Sequence, residues 1–96
     1  MTDGQTDDRS EALSAFAAYI RELRRQRGLT QEQLAQRSGL AVEMIARVER
    51  GDYSPALSTL GKLCVGFEIP MSRLFEGLER AQREGSKGGE GGEGGA

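Results

Sequence analysis

Ninety-six residues, 36% of them hydrophobic, with a formal charge of −2, provide for one small domain. The chain has no histidine and one cysteine, Cys64, which excludes His-based triads, His- or Cys-rich metal sites and an internal disulfide. No apolar run reaches the ~18 residues of a membrane span, and the polar start MTDGQTDDRSE is unlike a secretory or transit peptide. A cytoplasmic, reducing setting is expected, with no membrane partner.

Charge and glycine are unevenly spread. Asp3, Asp7 and Asp8 against Arg9 give the first ten residues −2, and Glu84, Glu90 and Glu93 against Arg83 and Lys87 give the last sixteen −1. The stretch between is +1, with its basic residues clustered at Arg21, Arg24, Arg25 and Arg27, then Arg37, Arg47 and Arg50. A locally basic face can neutralise phosphate on a nearly neutral domain. The same residues fit a solvated helix surface equally well. Half of the 14 glycines lie in the last twelve residues, beside glutamates, a composition that cannot offset the entropy of ordering. The expected division is an acidic N-terminus 1–9, a domain 10–80 and a Gly/Glu-rich tail 81–96, both ends being disordered.

Between residues 11 and 27, Leu13, Phe16, Ala17, Ile20 and Leu23 recur at spacings of three and four, which predicts an amphipathic helix ended by Gly28. Thr30 and Gln33 fit a capping box opening a short second helix, with Leu34 and Ala35 inward and a stop at Ser38–Gly39. A third helix over 42–50 buries Ile45 and Val48 and ends at Gly51. Pro55 suits the start of a fourth, burying Leu57, Leu60, Leu63, Cys64 and Phe67. Pro70 begins a fifth that buries Leu74 and Phe75. No segment alternates as a strand does, so the expected fold is all-α with five short helices.

Two short helices joined by the turn Ser38–Gly39–Leu40 fill residues 31–51. A helix-turn-helix needs this arrangement, because one helix braces another whose outer face enters a major groove. An ordinary helical hairpin has the same spacing. The stretch 20–75 resembles the Cro/C1-type, lambda-repressor-like helix-turn-helix family, through the ordered blocks LRRQRGLTQEQLA, SGL, IARVERG, SPALSTLGKL and RLF. The resemblance implies the family's five-helix fold with the motif at 31–50. It also implies a transcriptional regulator, a repressor in the reading adopted, that binds a pseudo-palindromic site in double-stranded DNA as a homodimer.

By position, the resemblance makes 42–50 the recognition helix. It puts Val42, Glu43 and Arg47 toward the groove, Met44 and Ala46 at its margin, and Gln31 at a phosphate or an adjacent base. Arg24, Arg37, Arg50, Tyr53 and Ser54 are the expected phosphate contacts, and Arg24 with Glu49 the implied structural ion pair. Arg47 can donate bidentately to guanine, discriminating by ~1–3 kcal/mol, and Val42 can meet a thymine methyl. Glu43 can accept from cytosine, yet phosphates repel it. It also stands four residues before Arg47, and orienting that arginine is the role expected of it.

Three departures from the family pattern bear on stability. Ala41 and Ala56 stand where a Ser or Thr cap is usual, although Ser54 with Pro55 offers an earlier cap; Gly61 and Gly66 interrupt the fourth helix. Cys64 falls at a small, buried position of the family. The expected dimer surface lies around Phe67–Leu78, where Ile69, Met71, Leu74 and Leu78 exceed what a lone domain must bury; closure of the core is the alternative use of the same residues. The alternative on this fold is a protein-interaction module, antitoxin-like or coactivator-like, whose support is Val42, Met44 and Glu43. No carboxylate pair, activated nucleophile, phosphate-cradling glycine loop or metal set is recognisable, so no catalysis, cofactor or metal is expected.

Overall fold

The computed structural model describes the backbone of residues 3–89 and the side chains of residues 11–84. Among these residues it has five helices and no strand: α1 (Asp3–Gln26), α2 (Gln31–Ser38), α3 (Val42–Arg50), α4 (Leu57–Phe67) and α5 (Met71–Gly89). α3 packs on α1 and α2, α4 covers α2, and α5 lies against α1 and α4.

Local chemistry sets the joints. The Gly28 amide donates to the Arg25 carbonyl (3.0 Å) and the Leu29 amide to that of Arg24 (3.1 Å), a paired closure that caps α1 and turns Leu29 into the core. Thr30 and Gln33 form the expected capping box: the Gln33 amide donates to Thr30 Oγ1 (3.0 Å) and the Thr30 amide to Gln33 Oε1 (2.8 Å). Gly39, at φ +71, takes the left-handed conformation that reverses the chain between α2 and α3. Glu68 takes the same conformation after α4, at φ 60, although it carries a side chain.

The core is one cluster: Phe16, Ile20 and Leu29 from the first segment, Leu34 and Ala35 from α2, Ile45 and Val48 from α3, Leu63, Cys64 and Phe67 from α4, and Leu74 from α5. Burial pushes the Cys64 thiol above its ordinary pKa, and its Sγ lies 3.8 Å from Met71 Sδ. The close contact of α4 with α2 explains one glycine. A Cβ on Gly66 would come 2.1 Å from Ser38 Oγ, so only glycine fits without displacing Ser38. That hydroxyl is buried and has no hydrogen-bond partner among the described residues.

Several expectations need correction. Leu57 and Phe75, expected in the core, are 67% and 43% exposed. Each sits beside the buried stripe of its helix, where a one-residue step turns a side chain by ~100°. Ala56 is the N-cap of α4 and makes no side-chain cap, so neither Ser54 nor Pro55 begins that helix; Ala41 likewise leaves α3 uncapped by a side chain. Of the residues expected at a dimer surface, Leu74 is fully buried and Ile69, Met71 and Leu78 are partly buried against the core, while Phe75 in the same stretch is exposed. The helices also outrun the expected domain edges, since α1 begins at Asp3 and α5 continues to Gly89. Extending an existing helix needs no new nucleus and adds a hydrogen bond per residue. The expectation for residues 1, 2 and 90–96 lies outside the described residues.

Candidate nucleic-acid interface

α3 is sharply two-sided. Ile45, Val48 and Glu49 face inward, while Val42, Glu43, Arg47 and Arg50 are exposed and Met44 and Ala46 lie at the border. Nothing in composition makes Glu49 a core residue; its partners do. Its carboxylate, 3% exposed, accepts from Arg24 Nε (2.7 Å), Arg24 Nη2 (3.0 Å) and Gln31 Nε2 (3.0 Å). Arg24 also donates through Nη1 to the Leu29 carbonyl at 2.9 Å. One carboxylate therefore joins α1, the head of α2 and α3. Its hydrogen bonds to Arg24 hold that guanidinium above its ordinary pKa.

This arrangement changes the reading of the basic stretch on α1. All three guanidinium nitrogens of Arg24 donate inside the fold, and so does the amide nitrogen of Gln31. In the unbound chain both hold Glu49: for Arg24 this is the ion pair that the resemblance implies, while Gln31, expected at a phosphate or an adjacent base, is enlisted beside it. Arg21 donates to the Glu49 carbonyl and Arg27 to the Phe67 carbonyl. Arg21 and Arg27 were legible only as charge. Their partners are backbone carbonyls 28 and 40 residues away, which no local pattern reveals.

Glu43 does not pair with Arg47. Among the described residues the ion pairs are Arg24–Glu49 and the exposed Arg50–Asp52 at 3.3 Å. The Arg47 guanidinium instead lies over the Tyr53 ring, with Cζ 5.5 Å from the centroid. Tyr53 is half-buried and packs against the core from the loop after α3. Arg37, in the last turn of α2, and Ser54, in the same loop as Tyr53, are exposed. Val42, Glu43, Arg47, Arg50 and Ser54 thus occupy exposed positions on α3 and the loop after it.

Known proteins match this arrangement. The helix-turn-helix family model matches residues 20–74, more than half of the chain. The HTH-type transcriptional regulator SutR of Escherichia coli K12 is 36% identical over 63 residues, 65% of this chain and 35% of SutR. YgzD of Bacillus subtilis 168, an uncharacterized HTH-type transcriptional regulator, is 36% identical over 56 residues, 58% of this chain and 85% of YgzD. The chain thus spans about a third of the length of SutR and most of that of YgzD. Among solved structures, the restriction-modification controller protein C.Esp1396I aligns with a TM-score of 0.71 at 29% identity, over 76% of this chain and 95% of that one. A tetramer of that controller in complex with its natural 35 base-pair operator aligns at 0.70 and 30% identity, over 74% and 93%. With the motif, the five helices and the matched span in agreement, the chain belongs to the Cro/C1-type helix-turn-helix family.

Proposed function

We propose that the chain binds double-stranded DNA sequence-specifically as a homodimer and regulates transcription as a repressor. The observation that carries this reading is α3, whose buried edge is clamped by the Arg24–Glu49–Gln31 cluster while Val42, Glu43 and Arg47 stay exposed. A helix with its side chains is ~10–12 Å across and fits a major groove ~12 Å wide. Arg47 reads guanine, Val42 meets a thymine methyl, and Glu43 disfavours bases that do not offer it a donor. Arg37, Arg50 and Ser54 hold phosphate. The Arg50–Asp52 pair costs little to open, both side chains being more than half exposed.

A dimer places two recognition helices one helical turn apart on DNA, and the neighbouring controller's tetramer on its operator supports such assembly. Among the described residues the exposed large apolar side chains outside α3 are Leu57 and Val65 on α4 and Phe75 on α5, and a self-contact draws on these. A dimer covering its operator keeps other proteins off that DNA, which is the simplest mode of repression. The place of action is the cytoplasm. The reading assigns no catalytic role to any residue.

Titration of labelled duplex DNA against salt tests the electrostatic half of the reading. Log affinity falls linearly with log salt, at about −0.9 per phosphate neutralised, and Arg37→Gln or Arg50→Gln each lowers the slope by about one. Undetectable or salt-independent binding overturns it and favours a protein-interaction module.

A further inference from the structure

The helix that reads a groove must hold its long side chains as well as its backbone. Arginine carries ~2 kcal/mol of rotamer entropy, and a recognition arginine left free loses it on each binding event. Among the described residues Arg47 has neither a carboxylate partner nor a hydrogen-bond acceptor. Its one contact of that kind is the Tyr53 ring, with Cζ over the ring at 5.5 Å from the centroid, inside the ~6 Å range of a cation–π contact. Tyr53 is itself fixed, being half-buried with its ring packed on the core. A guanidinium held over an aromatic ring by cation–π attraction spends no N–H donor on a hydrogen-bond acceptor there, and bidentate recognition of guanine O6 and N7 needs those donors.

We propose that Tyr53 is a positioning residue for DNA readout: its ring, rather than its hydroxyl, is the platform that presents the Arg47 fork to a base. The inference rests on the DNA-binding reading above. It gives the loop after the recognition helix a part in specificity, and it replaces the orienting role that spacing assigned to Glu43. Holding Arg47 before contact favours the correct base over the others, because only there are both donors accepted. Nonspecific binding, carried by other cations, gains nothing from it.

The test titrates wild type, Tyr53→Leu, Tyr53→Phe, Arg47→Ala and Arg47→Ala/Tyr53→Leu against the duplex that wild type selects from a random pool. A duplex altered at the base pair read by Arg47 is titrated in parallel. The expected result is a two- to five-fold loss of discrimination per half-site in Tyr53→Leu, the equivalent of about 0.5–1 kcal/mol. Tyr53→Phe rescues it, nonspecific affinity stays constant, and Tyr53→Leu adds no loss of discrimination in the Arg47→Ala background. Far-UV circular dichroism establishes that each variant is folded. Should Tyr53→Leu unfold, failure of Tyr53→Phe to keep discrimination overturns the inference by itself.

Other outcomes refute the platform in different ways. Tighter specific binding by Tyr53→Leu makes the ring a latch that withholds Arg47. Loss in Tyr53→Phe, with a salt slope lower by about one, makes the hydroxyl a phosphate contact instead. Equal discrimination by wild type and Tyr53→Leu removes the inference while leaving the DNA-binding reading intact. A wild type that selects no site removes both.

Discussion

Replacing Arg24 by alanine takes the guanidinium away from a carboxylate that is 3% exposed. Glu49 then keeps one of its three side-chain donors, the Gln31 amide at 3.0 Å. Water replaces the lost donors poorly, because Arg24 is itself only 15% exposed. Breaking a buried pair from one side costs about 3–5 kcal/mol, a large part of the ~5–15 kcal/mol by which a domain is stable. At ~4–8 °C per kcal/mol for a domain of this size, the melting temperature falls by about 12–40 °C. Thermal and guanidinium unfolding followed by far-UV circular dichroism read this directly, the chain having no tryptophan to report by fluorescence. Removing both charges in Arg24→Met/Glu49→Leu recovers most of the loss, since no orphaned ion remains. Arg50→Ala, which breaks a pair 59% and 56% exposed, costs no more than about 0.5 kcal/mol. If Arg24→Ala loses less than about 1 kcal/mol and matches Arg50→Ala, the clamp is an ordinary surface pair and the reasoning fails.

Four further substitutions concern stability and are checked by the same unfolding curves. Ser38→Ala raises stability by about 1 kcal/mol, because the hydroxyl it removes is buried with no partner among the described residues; Gly66→Ala costs about 1–3 kcal/mol in wild type and less in the Ser38→Ala background. Equal Gly66→Ala penalties in the two backgrounds disprove the steric account. Glu68→Gly stabilises by about 0.5–1 kcal/mol by relieving a left-handed residue after α4, and a destabilised variant contradicts this. Ala41→Ser supplies the side-chain cap that α3 lacks and adds about 1 kcal/mol, whereas an unchanged midpoint means the α3 amides are already satisfied.

The sequence announced the helices better than their edges, for reasons that lie in particular residues. Thr30 and Gln33 act on each other across three positions, so the capping box is written locally and the structure contains it. Gly28, Gly39 and Gly51 all take positive φ at helix ends, again a local matter. Periodicity found the core face but not its limits, which is why Leu57 and Phe75 read as buried and are exposed. The reach of α1 and α5 past the expected domain edges was hidden by composition, which speaks of average disorder and not of a helix already nucleated beside it.

The candidate site divides in the same way. The pairing of Arg24 with Glu49, implied by family resemblance, is present at 2.7 Å, but the enlistment of Gln31 and the Glu49 carbonyl's acceptance from Arg21 depend on how three helices cross. Glu43 and Arg47 have the spacing of a helical pair and do not make one. Tyr53 wins Arg47 because the chain turns back after Gly51, at φ +79, and sets the ring beside the end of α3. That contact depends on a loop path that hydrophobic patterning does not encode.

Sequence-specific reading of duplex DNA by α3, in two copies together, is decided by selection of bound duplexes from a random pool, run on wild type and on Arg47→Ala. Wild type is expected to enrich a two-fold symmetric site and Arg47→Ala to relax one position in each half-site. Absence of any enriched sequence, with only weak salt-sensitive binding, would contradict it.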